Sequence, residues 1–441
     1  MRLHPTLFLG LLCSSLATQA EVSPTRPGAG GPNDAYAATP SHLSILLRSY
    51  AEQIKEGEVD RHTWMSSARF IFDSGFTAGP IGFGLDLGLY SALNLDAVSS
   101  TRNFVYADDN GSGTSRDVWA YAGLLNVKAK HGNWVAKYGL HTVGNPVLEP
   151  FDSKSLPPSF KGLSVTGKVA NDLTLDFGTF DGSIQGNHSN LNQLSSAYGW
   201  VSYDRLTYLG LRRRWSADDE LVAYAGNASD MWNQLYLGAG AAIPVNGEVS
   251  YRTRFDLYGV RSTGKMRQGQ MNTTGASLML GSRLGKSSLS ISYQQIFGDQ
   301  WLDFCKDSQG LYLANSVAND FNAPQEKSLQ LRYSYRGHNL GMSKLNFSAW
   351  TVVGWGANTT GEASNHSATD SPLHNLYWKN GVPIQGRHRE HGLTVTAIFH
   401  DGFFKGTTAA LSVISHNVSA HYLGDSYRQV VFTLNRPLAI Y

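Results

Sequence analysis

Phe83, Leu85, Leu87, Leu89, Leu93 and Leu95 share one parity, while Gly84, Asp86, Gly88, Tyr90, Asn94 and Asp96 share the other. Side chains of a strand alternate between its faces, so residues 83–96 read as a strand with grease on one side and polar groups on the other. The same alternation returns along the chain. Gly123, Leu125, Val127 and Ala129 oppose Asn126, Lys128 and Lys130; Leu173, Leu175 and Phe177 oppose Thr174 and Asp176. Val249, Tyr251, Phe255 and Leu257 oppose Ser250, Arg252, Arg254 and Asp256, and comparable rows occupy 328–335 and 393–400. Any one such strand also suits a soluble sandwich. Their recurrence from end to end, separated alternately by short turns (216–219, 285–286) and long polar loops, is the rhythm of a membrane barrel.

Three further observations converge on that reading. Met1 to Ala20 has a basic start, an apolar centre and small residues before Ala20, so an export signal cleaved near Ala20 is expected. No run of 18 apolar residues follows, which excludes ordinary membrane helices. Charged residues make up only 16% of the chain, with a net charge of +2, where average domains carry roughly a quarter. That balance also argues against nucleic acid as a partner. An exported chain poor in charge and without membrane helices can still cross a bilayer as a closed sheet. The expected fold is therefore all-β, an antiparallel transmembrane β-barrel over 41–441 preceded by a flexible segment at 21–40. At about 23 residues per strand and connector, 16 to 18 strands fit, enough to enclose water. Trp119, Tyr121, Trp134, Tyr138, Trp200 and Tyr203 are expected in interfacial girdles, and Tyr441 closes a final apolar strand.

Sorted by parity, the inward row collects Arg48, Arg69, Lys128, Lys130, Lys137, Lys168, Arg212, Arg214, Arg252, Arg254 and Arg332. Against them stand Asp86, Asp96, Asp176 and Asp256. A basic track along a water-filled bore lowers the barrier for anions, and guanidinium forks suit carboxylates. The alternative is that these charges merely solvate the wall.

Several separated segments, in order, resemble the OprD (Occ) family of substrate-specific outer-membrane porins. They are SHLSILLRSY (41–50), FIFDSGFTAGPIGFGLDLGLYSALNLD (70–96), KYG (137–139), PVLEPFDSKSLPPSFKGLSVTGK (146–168), LANSVANDFNAPQEKSLQLRYSY (313–335) and RPLAIY (436–441). The resemblance implies an 18-stranded barrel in a Gram-negative outer membrane, constricted by inward-folded loops at about 140–160 and 303–327. It implies passive uptake of small carboxylate-bearing nutrients along a basic ladder, with no cofactor, as a monomer or loose trimer surrounded by lipid. The ladder role transfers to Arg48, Lys128, Lys137, Lys168 and Arg332, with Asp152, Ser153 and Lys154 in the constriction. Lys154 stands where the family more often has arginine. Trp350, Ala410 and Ser412 stand where basic residues are frequent, which leaves room for neutral or sugar-like solutes, as in chitoporins; Trp350 would then offer a ring for stacking.

Residues 281–287 (GSRLGKS) resemble a P-loop but have three residues between the glycines and join two strands, so a turn is expected. His388-Arg389-Glu390-His391 lacks the helical metal-ligand spacing, and no histidine pairs with cysteine at zinc spacing, so no metal is expected. A barrel enzyme such as a phospholipase needs a nucleophile, base and orienting group at one rim; no segment supplies that set.

Overall fold

The computed structural model describes residues 38–96, 118–186, 188–306 and 308–440. The expected signal, most of the segment at 21–40, and Tyr441 lie outside the described residues.

Eighteen strands form one antiparallel sheet. It begins with β1 (His42–Glu56), β2 (Val59–Asp73), β3 (Gly82–Asp96), β4 (Val118–His131), β5 (Trp134–His141), β6 (Ser159–Lys168) and β7 (Leu173–Ile184). After β7 the chain makes a long excursion and resumes beside it, Leu206 opposite Phe180. The last strand, Tyr427–Ala439, pairs with β1 from Ser44↔Ala439 to Glu56↔Tyr427. That pairing closes the cylinder and leaves no free edge, as a sheet in lipid requires. Among the described residues no helix is long and apolar enough to cross a membrane.

The parity reading holds at the decisive stretch. Phe83, Leu87, Leu89 and Leu93 are exposed on the outer face, while Asp86, Tyr90 and Ala92 are buried inside. Gly123 is an exception. The β3–β4 register shifts between Gly88 and Leu89, so Gly123 joins the inward row, not the outward one. A Cβ there would lie 2.2 Å from the Tyr90 ring, so the bulge exists where only glycine fits.

The expected girdle also needs correcting. Trp134 and Tyr138 do face outward, but Trp119 and Tyr203 are buried, and Tyr121 packs edge-on against Tyr90 at 5.8 Å. Trp200 is exposed in a long loop under the Lys306 ammonium. Tyr251, placed on an apolar row by its parity, does face outward, as do Tyr333, Tyr293 and Phe297, the last two with no alternation assigned to them.

One rim carries tight turns such as Gly285-Lys286, which bears out the turn reading of 281–287. The other rim carries long segments, notably 142–158, 185–205, 298–326 and 359–384. Since the wall's outer face belongs to lipid, the buried apolar clusters form where these long segments pack into the bore. The largest brings Val147 and Leu148 together with Leu302, Phe304 and wall tyrosines such as Tyr236 and Tyr258.

Candidate functional site

The narrowing of the bore is built by two loops tied to the wall and to each other. Arg48 on β1 and Arg69 on β2 share the inward parity, their partners being Ser67 and Leu46 respectively. Their guanidiniums converge on Asp152 of loop 142–158, at 2.6 Å and 2.9 Å. Arg48 also donates to the Lys154 carbonyl (2.6 Å) and, through Nε, to Asn435 Oδ1 (2.6 Å). Ser67 Oγ donates to the Ser155 carbonyl, and Lys154 Nζ reaches Glu52 at 3.1 Å. Burial alone would raise the Asp152 carboxyl's pKa; Arg48 and Arg69 outweigh burial and hold it below the usual value. Among the described residues Ser153 Oγ is buried and without a hydrogen-bond partner.

Loop 142–158 then meets loop 298–326. Pro150 and Ser308 form an antiparallel bridge, Gln309 N–H donates to the Glu149 carbonyl at 2.8 Å, and Tyr312 Oη donates to the Glu149 carboxylate. Phe151 packs with Val317, Ala318 and Phe321. Loop 298–326 is fixed in turn by Glu390 on strand Gln385–Phe399. That carboxylate accepts from the N–H groups of Ala318 (3.2 Å) and Asn319 (2.9 Å) and from Trp350 Nε1 (2.7 Å). Trp350 is buried over Gly392, where a Cβ would lie 1.9 Å from its ring.

The inward cations are less free than their number implies. Lys128 bonds Asp86 (2.5 Å) and Asp73, and Lys137 bonds Asp86 (2.8 Å). Arg252 pairs with Asp218 (3.0 Å), while Arg254 pairs with Glu220 (2.8 Å) and Asp256 (3.0 Å). The acids set against the basic row in the sequence omitted Glu52, Asp73, Asp152, Asp218 and Glu220. Glu52, Asp73 and Glu220 share the inward parity of Arg48, Arg69 and Tyr224, so strand alternation could have found them. Asp152 and Asp218 lie in a loop and a turn, where parity says nothing.

Among the described residues Lys130, Lys168, Arg212 and Arg332 form no ion pair. Lys168 and Arg212 line a cavity of about 620 Å³ with Lys137, Thr174, Asp176 and Tyr224. Asp176 accepts from Thr166, Tyr224 and Asn145. Arg332 faces the Trp350 ring at 5.9 Å. The geometry thus offers a narrowed polar passage with a few uncommitted cations.

A family model described as outer membrane porin, OprD family, matches residues 40–440. Porin D of Pseudomonas aeruginosa is 27% identical over 418 residues, covering 91% of each chain. Porin-like protein GalP of Pseudomonas putida is 25% identical, covering 86% of this chain and 92% of that one. The crystal structure of Pseudomonas aeruginosa OccD3 (OpdP) superposes with a TM-score of 0.81 at 25% identity, covering 92% and 94% of the two chains. Pseudomonas aeruginosa OpdK, solved with vanillate, shares the fold with a TM-score of 0.79 at 21% identity, covering 90% and 98%.

Proposed function

The chain belongs to the OprD family of outer membrane porins, and on that premise we propose that its passage selects small carboxylate-bearing solutes. It is an outer-membrane channel, not an enzyme.

The observation that carries the proposal is the uneven pairing of the inward cations. Most are held by acidic partners: Arg48 and Arg69 anchor the constriction loop, and the others brace the wall and its turns. Lys168 and Arg212 face the 620 Å³ cavity without an ion-pair partner among the described residues, and Arg332 stands at the opposite wall. An anion leaving the constriction meets these in turn. Contacts of this kind, single and partly solvated, are weak enough to release the solute, as conduction requires. Arg48, Lys128, Lys137, Asp152, Lys154, Arg252 and Arg254 contribute by fixing the shape of the bore more than by binding. Ser153 lines the same loop and Lys130 adds positive potential. The neutral-sugar reading loses its stacking platform, because Trp350 is buried and tied to Glu390. Each barrel encloses its own route, so a monomer suffices, and transport is downhill with no cofactor.

The test is single-channel recording in planar bilayers with benzoate, glutamate and chitobiose as probes. Carboxylates are expected to permeate or block at lower concentration than chitobiose. Lys168→Ala with Arg212→Ala is expected to lower the anion-to-cation permeability ratio several-fold, and Arg332→Ala to add to that loss. Equal handling of charged and neutral probes, with an unchanged ratio in the variants, would overturn the proposal.

A further inference from the structure

The outer face of the barrel is uneven. Strands Leu206–Arg214 and Glu220–Ala228 have nine residues each, against 15 in each of β1, β2 and β3. A tilted strand needs about 9–11 residues to cross the hydrocarbon layer, so the long-loop ends of these two strands lie at headgroup level. There the outward surface carries a concavity of about 820 Å³. Its floor is Ala225 and Gly259, and a Cβ built on Gly259 would meet nothing within 4 Å. Leu209, Leu235 and Leu257 wall it toward the hydrocarbon, and Asn227, Asn233 and Arg261 line its headgroup end.

Arg261 has a counterpart. Arg205 is exposed one step above the concavity, its N–H bonded to Ser229 Oγ. Among the described residues neither arginine forms an ion pair, while the nearby acids Asp204 and Asp230 are taken by Arg267 and Lys265. Thr207, Asn227, Asn233 and Arg261 lie at one level across four strands. At the usual strand spacing and rise, Arg205 and Arg261 are therefore about 16 Å apart at their Cα atoms. Two guanidiniums on flexible stems can then hold two anionic groups of one large headgroup, and phosphate suits the guanidinium fork.

We propose that this face binds one outer-leaflet glycolipid carrying two phosphates. The phosphates sit on Arg205 and Arg261, and an acyl chain lies in the concavity over Gly259. Lipid is the occupant favoured by position, since an outward wall within a membrane is covered by acyl chains, and the paired cations select an anionic headgroup.

Native mass spectrometry of the full chain in mild detergent tests this, with three lipids added back: a bisphosphorylated glucosamine-disaccharide lipid, its monophosphoryl form, and phosphatidylglycerol. The wild type is expected to retain one bisphosphorylated lipid per barrel, with the other two bound more weakly. Arg205→Ala with Arg261→Ala, and separately Gly259→Leu, should each weaken retention about tenfold. Both variants should keep wild-type single-channel conductance, which establishes that they fold. Undiminished lipid retention in both variants would overturn the proposal. So would equal retention of phosphatidylglycerol, or efficient cross-linking of Ala225→Cys barrels, which would make a second copy of the chain the occupant.

Discussion

Asp152 joins the constriction loop to the wall, so replacing it separates the loop's mechanical role from its electrostatic one. In Asp152→Asn the amide keeps one acceptor, but the charge between Arg48 and Arg69 disappears. The two guanidiniums are 9% exposed, whereas the Asp152 side chain retains 39% exposure. Breaking a fully buried pair costs roughly 3–5 kcal/mol; solvent screening of the exposed carboxylate brings the figure here down to about 2 kcal/mol. That corresponds to about a 30-fold shift in the balance between docked and undocked loop. Ser67, Lys154 and the Pro150–Ser308 bridge still restrain the segment, so the loop should visit the undocked state instead of leaving the bore. The assay is single-channel recording with the zero-current potential measured across a salt gradient at low ionic strength, where screening is weakest. The expected record shows a second, larger conductance level and a zero-current potential displaced toward anion selectivity. Adding Arg69→Gln should restore the potential without abolishing the second level. A trace and potential indistinguishable from wild type would refute the anchoring argument. Because Arg48 and Arg69 hold the Asp152 carboxyl below its ordinary value, its contribution is present above that range and is lost only as pH falls through the lowered value. Wild-type barrels at pH 5 should therefore conduct as they do at pH 7.

Two further outcomes follow from the fold. Leu87→Arg puts a cation on the lipid face of β3, where Leu87 is 43% exposed; the expected cost is roughly 2–4 kcal/mol, read as a lower urea midpoint for folding into lipid vesicles. An unchanged midpoint would mean that this face does not meet lipid. In loop 298–326 burial pushes the Asp320 carboxyl up to about 7, against the stabilising bond from Tyr198 Oη at 2.8 Å. A raised carboxyl favours the fold at low pH and costs stability as pH climbs through 7. Thermal scans from pH 4 to pH 8 should show wild type losing ground to Asp320→Asn over that range, whereas parallel curves would contradict it.

Much of the architecture was readable from residue order because lipid and water impose their demand at every second position. The leucine row of β3, the inward placing of Arg48, Arg69 and Lys128, and the turn at Gly285-Lys286 all followed from that local rule. It failed at Gly123, where a bulge changes parity and the glycine lies against the Tyr90 ring of the neighbouring strand. The girdle assignments of Trp119, Tyr121 and Tyr203 failed for a related reason. Trp119 and Tyr121 stand on β4 before the bulge, where inward and outward are exchanged, and Tyr203 lies in a loop that folds into the bore.

What residue order could not decide was which cations remain free. Charge parity counts groups on a face, but an ion pair depends on register between strands and on where a loop comes to rest. Asp152 neutralises two arginines more than 80 residues away, and Glu390 holds a loop whose own residues carry no sign of that attachment. Alternation is a property of each strand by itself, so the chain alone determined a basic-walled barrel in a membrane. Pairing is a property of distances across the closed cylinder, so only the tertiary structure decided which of those positive charges face the water.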